Sequence, residues 1–181
     1  MWGATQSFQA LSQTSCDGKP VTVSTALGQL PTEGDDVILG TTGNDTIQAL
    51  GGNDTICTLG GNDTVDGGAG NDWVDAGAGH DVIVPRDGND VSIGGSGIDT
   101  ISYVGHPAGV TFALGFGLDL MAQNTGGAGH DAEHGVENLT GTSFADTLRG
   151  WNGPQPSRRR GRQRRPDRQR GRRSADPRPG K

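Results

Sequence analysis

Aliphatic and polar residues alternate over short stretches that recur every nine positions between Pro31 and Ser102. In each stretch one central residue, usually aliphatic, stands between two mostly polar neighbours, as in Thr46-Ile47-Gln48. Alternation with a period of two is typical of extended chain, in which one side chain points inward and its neighbours point outward. The pattern therefore predicts eight very short strands, one in each nine-residue unit. The central residues are Ile38, Ile47, Ile56, Val65, Val74, Ile83, Ser92 and Ile101.

A glycine and an aspartate precede each central residue at fixed distances. Glycine permits tight turns because it adopts positive φ values at no steric cost. A three-residue strand is not stable alone, and one aliphatic side chain per unit forms a core only if successive units stack. The sequence therefore predicts an all-β solenoid with a thin aliphatic core. The glycines are Gly34, Gly43, Gly52, Gly61, Gly70, Gly79, Gly88 and Gly97, and the aspartates are Asp36, Asp45, Asp54, Asp63, Asp72, Asp81, Asp90 and Asp99.

The repeated acids and glycine loops together predict a cation site. Stacked units bring loop carbonyls and carboxylates close together, and crowded carboxylates repel one another unless a cation lies between them. An all-oxygen cage on flexible loops suits Ca²⁺ better than Mg²⁺, and no Cys/His set shares the phase, which argues against zinc. With two units per coil, alternate aspartates would line opposite edges. The alternative, that the acids are only solvated turn residues, leaves the regular nine-residue phase without a reason.

The stretches GGNDTI, GGNDTV and GGAGNDWV resemble the hemolysin-type (RTX) calcium-binding repeats of secreted bacterial proteins. Residues 99–111 and 135–150 resemble the non-repeat segment that often joins two such arrays. The resemblance implies a right-handed parallel β-roll stacked on several Ca²⁺ ions, bound by the aspartates and by glycine-loop carbonyls. The implied metal-site residues are Asp36, Gly43, Asp45, Gly52, Asp54, Gly61, Asp63, Gly70, Asp72, Gly79, Asp81, Gly88, Asp90, Gly97 and Asp99.

Three units depart from the pattern. Ser92 occupies a core position, and a local slip of register toward its aliphatic neighbours would compensate. The units 31–39 and 85–93 lack the first glycines, so we expect their loops to bind weakly. The stretch Gly126–His134 begins as a repeat but has Glu133 where an aliphatic residue belongs, which leaves Asp131 as a possible ligand only.

Composition divides the chain into four regions. We predict an N-terminal segment at 1–30, a β-roll of eight units at 31–104, an inter-array β segment with a degenerate repeat at 105–150, and a disordered arginine-rich tail at 151–181. With 33 glycines and 4% aromatic residues, a large compact core is excluded.

The negative charge of residues 1–153 predicts both calcium-dependent folding and an extracellular location. Residues 1–153 contain three basic residues against 19 acidic ones. A thin core with this much negative charge is expected to be disordered without a cation, so calcium binding and folding would be coupled. Extracellular calcium modules bind at about 10⁻⁴–10⁻³ M, far above cytosolic calcium. We therefore expect a secreted, extracellular protein, although the N-terminus has no readable signal peptide. No segment is apolar enough for a membrane span.

Two further features allow alternative interpretations. Cys16 and Cys57 would close a disulfide in an oxidising compartment, or remain free thiols. The stretch from His130 to His134 spells His-x-x-Glu-His, a zinc-peptidase pattern that requires a helix. It follows a glycine loop and has no helical periodicity, so we do not expect a catalytic zinc there.

The tail, Arg158–Lys181, holds 12 of the 15 basic residues. A disordered basic segment binds nucleic acid through its charge, but without interleaved aromatic residues it predicts no specific nucleic-acid partner. Alternatively, the tail is a frameshifted continuation of the array: shifted CGN arginine codons encode Gly, Ala, Asp or Val, and one codon choice for Arg158–Gln169 spells a further repeat. We favour the frameshift, which the genomic sequence around codons 150–157 would test.

These observations favour a calcium-binding secreted β-roll module with a structural, adhesive or secretion-associated role and no enzymatic activity. The alternative is the truncated repeat region of a larger secreted enzyme such as a protease or lipase, since the residues before Pro31 are too few for a catalytic domain. An ice- or surface-binding face would use the outward Thr46, Thr64 and Thr100, but strand preference explains these threonines more simply. The sequence does not identify a protein or cell-surface partner.

Overall fold

The computed structural model describes residues 15–114, 123–124 and 128–149. The predictions of disorder and of a frameshift for the arginine-rich tail lie outside the described residues. Before the repeats lie β1 (Ser15–Cys16), β2 (Lys19–Pro20), β3 (Val23–Ser24) and a short 3-10 helix (Thr25–Leu27). The repeats form β4 (Val37–Leu39), β5 (Thr46–Gln48), β6 (Thr55–Cys57), β7 (Thr64–Asp66), β8 (Trp73–Asp75), β9 (Ala78–Gly79), β10 (Val82–Val84), β11 (Val91–Ile93), β12 (Ser96–Gly97) and β13 (Thr100–Ser102). The later strands are β14 (Thr111–Ala113), β15 (Gln123–Asn124), β16 (His130–His134), β17 (Asn138–Thr140) and β18 (Thr147–Arg149).

Successive repeat strands enter two different parallel sheets. One sheet has the order β15-β16-β11-β8-β6-β4-β3, and the other has the order β17-β13-β10-β7-β5. Along the first sheet Thr55 pairs with Trp73, and Trp73 pairs with Val91, so neighbouring strands are 18 residues apart. One coil therefore contains two nine-residue units, and the chain is an all-β parallel solenoid, as the repeat pattern predicts.

The core of the solenoid lies between the two sheets. The central residue of each repeat strand is buried, and its neighbours in β5, β7, β8 and β10 are partly or fully exposed. Ser92 keeps the same phase: it is 1% exposed and pairs in register with Val74. The expected slip of register is absent, because slipping β11 would break its parallel ladder with β8.

Beyond β13, later strands extend both sheets of the solenoid. Strand β16 pairs with β11, and β17 pairs with β13, so both sheets continue past residues 103–129. Ser92 faces Glu133 in this pairing, and Glu133 is 6% exposed. A second apolar cluster forms around Tyr103 and Phe112, and β14 pairs with β18. Strands β16 and β17, which lie within the predicted inter-array β segment 105–150, thus extend the two sheets.

A disulfide joins the N-terminal hairpin to the repeats. Strands β1 and β2 form an antiparallel pair, and Cys16 is bonded to Cys57 in β6. The two cysteines pack with Leu39 in an apolar cluster separate from the main core. Of the two interpretations of the cysteines, the structure has the disulfide. Among the described residues, no helix has the length and apolar character needed to cross a bilayer.

Candidate metal centre

The repeated aspartates lie in two rows, one along each edge of the solenoid. Because each coil has 18 residues, every second aspartate falls on the same edge. In one row the backbone N–H of Asp45 donates to Oδ1 of Asp63 over 2.8 Å, and the N–H of Asp63 donates to Oδ1 of Asp81 over 2.8 Å. The same bond joins Asp81 to Asp99 over 2.9 Å. The two-edge arrangement inferred from the sequence is therefore present.

The second row has the same geometry. The backbone N–H of Asp36 donates to Oδ1 of Asp54 over 2.8 Å. Asp54 donates to Asp72 over 2.9 Å, and Asp72 donates to Asp90 over 2.8 Å. From Asp54 to Asp99, each row carboxylate therefore uses one oxygen to hold the preceding coil, which leaves its other oxygen for a different partner.

That other oxygen, Oδ2, is buried without a hydrogen-bond partner in six of the carboxylates. A buried acceptor normally has a partner, and burying a charge without one is strongly unfavourable. Six such atoms at one repeated position indicate sites for cations rather than isolated packing defects. They belong to Asp54, Asp63, Asp72, Asp81, Asp90 and Asp99.

The carboxylate pKa values show the electrostatic cost of this arrangement. Burial raises the pKa of Asp72 to about 7, and the charge of Asp54 adds to the effect. Burial and the nearby Asp131 raise the pKa of Asp90 to about 8. Burial also raises the pKa values of Asp54 and Asp99 to about 6. A cation at the free oxygens would favour the ionised forms and offset these shifts.

The predicted loop glycines stack on one another along each edge. A Cβ atom on Gly79 would overlap the carbonyl oxygen of Gly61, and a Cβ atom on Gly97 would overlap that of Gly79. The φ angles of Gly79 and Gly97 are 150° and 142°, values that favour glycine. Successive loops are therefore in backbone contact. The ligand role of the glycine carbonyls stays a prediction.

Asp36 and Asp45 differ from the six aspartates that follow them. Oδ2 of Asp36 accepts the backbone N–H of Thr32 over 2.7 Å and its hydroxyl over 2.9 Å. Oδ2 of Asp45 accepts the same two groups of Thr41, over 2.7 and 3.1 Å. The structure therefore places both residues in the predicted rows but provides their second oxygens with donors from the protein.

Two acids outside the eight predicted units extend the rows. The backbone N–H of Asp90 donates to Oδ1 of Asp131 over 3.2 Å, and that of Asp99 donates to Oε2 of Glu137 over 2.9 Å. Asp131 was predicted as a possible ligand only, and Glu137 was not predicted as a site residue. The detectable signal for Glu137 is that it precedes the buried Leu139 by two residues, as each repeat aspartate precedes its core residue.

The His-x-x-Glu-His stretch forms strand β16. A zincin site needs its two histidines one helical turn apart on the same face of a helix. In strand β16, His130 and His134 lie four positions apart along extended chain. Glu133 between them is buried and pairs with Ser92 of β11. The strand geometry does not provide the arrangement that this chemistry requires.

The donor atoms fit calcium. They are carboxylate oxygens beside closely stacked loop backbone, a set that hard cations prefer. Among the described residues, no three His, Cys, Asp or Glu side chains converge on one point. Backbone carbonyl oxygens would therefore have to complete the coordination shell, which Ca²⁺ accepts in its flexible six- to eight-ligand geometry.

Comparison with known families agrees with this chemistry. The model of the RTX calcium-binding nonapeptide repeat matches the chain in four copies, at residues 31–65, 58–83, 84–102 and 135–153. Together these segments cover just over half of the chain. The last copy includes Glu137, which continues one of the acidic rows. No curated protein sequence matches the chain.

Proposed function

The chain belongs to the RTX calcium-binding nonapeptide repeat family, and on this basis we propose that it is a secreted module whose β-roll folds when it binds Ca²⁺. The observation that carries the proposal is the set of six buried Oδ2 atoms without hydrogen-bond partners. These atoms recur every nine residues, so several ions rather than one would be bound.

The small size of the apolar core supports the proposal that folding is coupled to calcium binding. Most coils contribute two aliphatic core residues, such as Ile38 and Ile47 of the first coil, and little other apolar surface. Against this small gain stand two rows of carboxylates that the fold brings together. Neutralising the rows with Ca²⁺ removes their repulsion and adds ligand bonds that the unfolded chain lacks. We infer that the ion supplies a decisive part of the folding free energy.

The proposed role is structural or adhesive rather than catalytic. The repeated geometry places the carboxylates in regular rows with stacked loops between them, an arrangement suited to holding ions and not to binding one substrate. Extracellular calcium at millimolar levels would fold the module after export, and low cytosolic calcium would leave it unfolded before export. This dependence supports the proposed extracellular location.

Circular dichroism of the full chain tests the proposal. We expect little β structure in EDTA and a cooperative gain of β structure as Ca²⁺ rises to millimolar concentration. Mg²⁺ at the same concentration is the control and should have a much smaller effect, because it keeps its waters and requires octahedral geometry. A spectrum that does not change on adding Ca²⁺ would contradict the proposal.

A further inference from the structure

In nine units an aspartate precedes the central residue of a strand by two positions and the residue four positions before that aspartate is described; these aspartates are Asp36, Asp45, Asp54, Asp63, Asp72, Asp81, Asp90, Asp99 and Asp146. The residue four positions before each of them adopts one of two conformations. We call this residue the gate residue of its unit. In six units the gate residue has a positive φ, between 73° and 95°. These six gate residues are Leu50, Leu59, Gly68, Gly77, Arg86 and Gly95. In three other units the gate residue is a threonine without a positive φ, namely Thr32, Thr41 and Thr142.

The two conformations correspond one to one with the state of the carboxylate. Every unit with a positive-φ gate residue has an aspartate whose Oδ2 is buried without a donor. In every unit with a threonine gate residue, the threonine donates its backbone N–H and its hydroxyl to the carboxylate. In the last described unit, for example, Thr142 donates them to Oδ2 and Oδ1 of Asp146 over 2.9 and 2.8 Å.

The positive-φ conformation is unfavourable for the three gate residues that are not glycine. A positive φ places the Cβ of an L-residue close to the backbone, yet Leu50, Leu59 and Arg86 have φ values of 76°, 73° and 73°. Strained backbone of this kind is typical of functional sites, where another interaction compensates for it. The bidentate ion pair of Arg86 with Asp66, at 2.9 and 2.6 Å, is one compensating contact for Arg86. Leu59 packs against the apolar cluster of Cys16, Leu39 and Cys57, whereas Leu50 is 46% exposed and no ion pair of the described residues involves it.

Among the nine described units, the threonine units are the first two and the last. Asp36 and Asp45 lie in the first coil, and each also receives a weak hydroxyl contact from the preceding segment, over 3.3 Å from Thr22 and 3.4 Å from Thr25. At the far end of the row that runs from Asp36 to Asp90, the hydroxyl of Tyr103 donates to Oδ2 of Asp131 over 2.6 Å. Protein donors thus satisfy the first carboxylate of each row, and a protein hydroxyl also reaches Asp131.

From this correspondence we propose that the gate residue decides which carboxylates bind calcium. Units with a positive-φ gate residue bind Ca²⁺ through the free Oδ2, and units with a threonine gate residue are self-capped and do not. The first coil is then a metal-independent cap on which the calcium-binding coils stack. This inference rests on the proposed function and narrows the predicted ligands: Asp36 and Asp45 become capping residues, while Asp90 in the glycine-poor unit 85–93 remains a ligand.

Two matched variants of the full chain test the assignment. Asp45→Asn and Asp63→Asn remove one charge each from neighbouring coils of the same row. We measure the calcium ions bound per chain by equilibrium dialysis, the calcium midpoint by circular dichroism, and Tm in excess calcium. Asp63→Asn should lower the number of bound ions and raise the midpoint several-fold. Asp45→Asn should keep the wild-type number and midpoint but lower Tm, because it weakens the cap.

The results of these measurements distinguish a failure of this inference from a failure of the proposed function. If wild type binds Ca²⁺ and both variants lose ions equally, the gate assignment is wrong and the proposed function stands. If wild type binds no Ca²⁺, both are wrong. Thr41→Val offers an independent measurement, since it removes the capping hydroxyl and keeps the side-chain shape. It should lower Tm without changing the number of bound ions, and a loss of ions would show that Thr41 is itself a ligand.

Discussion

At the scale of single residues, the glycine that precedes a row aspartate by two positions is required, from Gly52 to Gly97, for the coils to approach one another. Gly79 has a φ of 150° and faces the Gly61 carbonyl, so a side chain would both strain its own backbone and push the coils apart. Gly43 lies in the first coil, where no earlier repeat coil presses on it, and the nearest atom to an added Cβ is a threonine oxygen 3.7 Å away. The same repeat glycine therefore has different roles at different points of the array.

Gly79→Ala and Gly43→Ala form a matched pair for this point. We expect Gly79→Ala to destabilise the calcium-loaded protein by about 1–3 kcal/mol or more, since it combines backbone strain with overlap. Gly43→Ala should change the free energy of unfolding by less than about 0.5 kcal/mol, as surface substitutions usually do. Thermal unfolding in excess calcium measures both. Equal losses of stability would show that the glycines act only through the unfolded state.

At the scale of elements, three-residue strands are held by their neighbours rather than by their own length. Strand β6 pairs with β4 on one side and β8 on the other. The first strands of a stack have a neighbour on one side only, and here the N-terminal hairpin and the Cys16–Cys57 disulfide support that end. Lys19 also donates to the Thr55 hydroxyl over 2.7 Å. The disulfide therefore joins the end of the array to its second coil.

Removing the disulfide should weaken this end of the array. The bond closes a loop across a sequence separation of 41 residues, and bonds of this type contribute about 2–4 kcal/mol. We expect the double variant Cys16→Ala/Cys57→Ala to have a lower Tm in calcium and an unchanged number of bound ions. Wild type in reductant is the control and should show the same loss. A double variant as stable as oxidised wild type would contradict a stabilising role.

At the scale of the whole molecule, the two carboxylate rows make metal-free folding depend on protons. The pKa values of Asp54, Asp72 and Asp90 lie at about 6, 7 and 8, above the ordinary value near 3.8. At pH values between about 3.8 and 8, the folded chain therefore binds more protons than the unfolded chain. Its stability without metal is therefore greatest at low pH and falls as the pH rises through the folded values.

Acidification in EDTA should partly replace calcium. We expect the metal-free chain to gain β structure between pH 8 and pH 5, as Asp54, Asp72 and Asp90 take up protons. The calcium midpoint should rise over the same range, because protons and Ca²⁺ compete for the same oxygens. Circular dichroism at fixed ionic strength measures both effects. A metal-free chain that gains β structure as the pH increases would show that the rows are not protonated in the folded state.

Features that depend only on spacing along the chain could be predicted from the sequence, and features that depend on other parts of the fold could not. The nine-residue phase predicted the strands, the two rows of aspartates and the core position of Ser92, because each depends only on spacing along a regular coil. Glu137 was missed because the spacing from Asp131 to Glu137 is six residues instead of nine, which breaks the phase that identified the others. The disulfide remained one of two alternatives, since it depends on where the N-terminal hairpin folds back.

The sequence by itself determined the architecture and the chemistry of the ligands. A fixed repeat of one aliphatic residue, one acid and one glycine has few ways to bury its apolar side chains, and stacking is the one that also aligns the acids. Only the tertiary structure distinguished carboxylates with protein donors from those without. That difference depends on backbone φ at Thr41 or Leu59 and on which groups meet across coils, and neither is encoded by spacing alone.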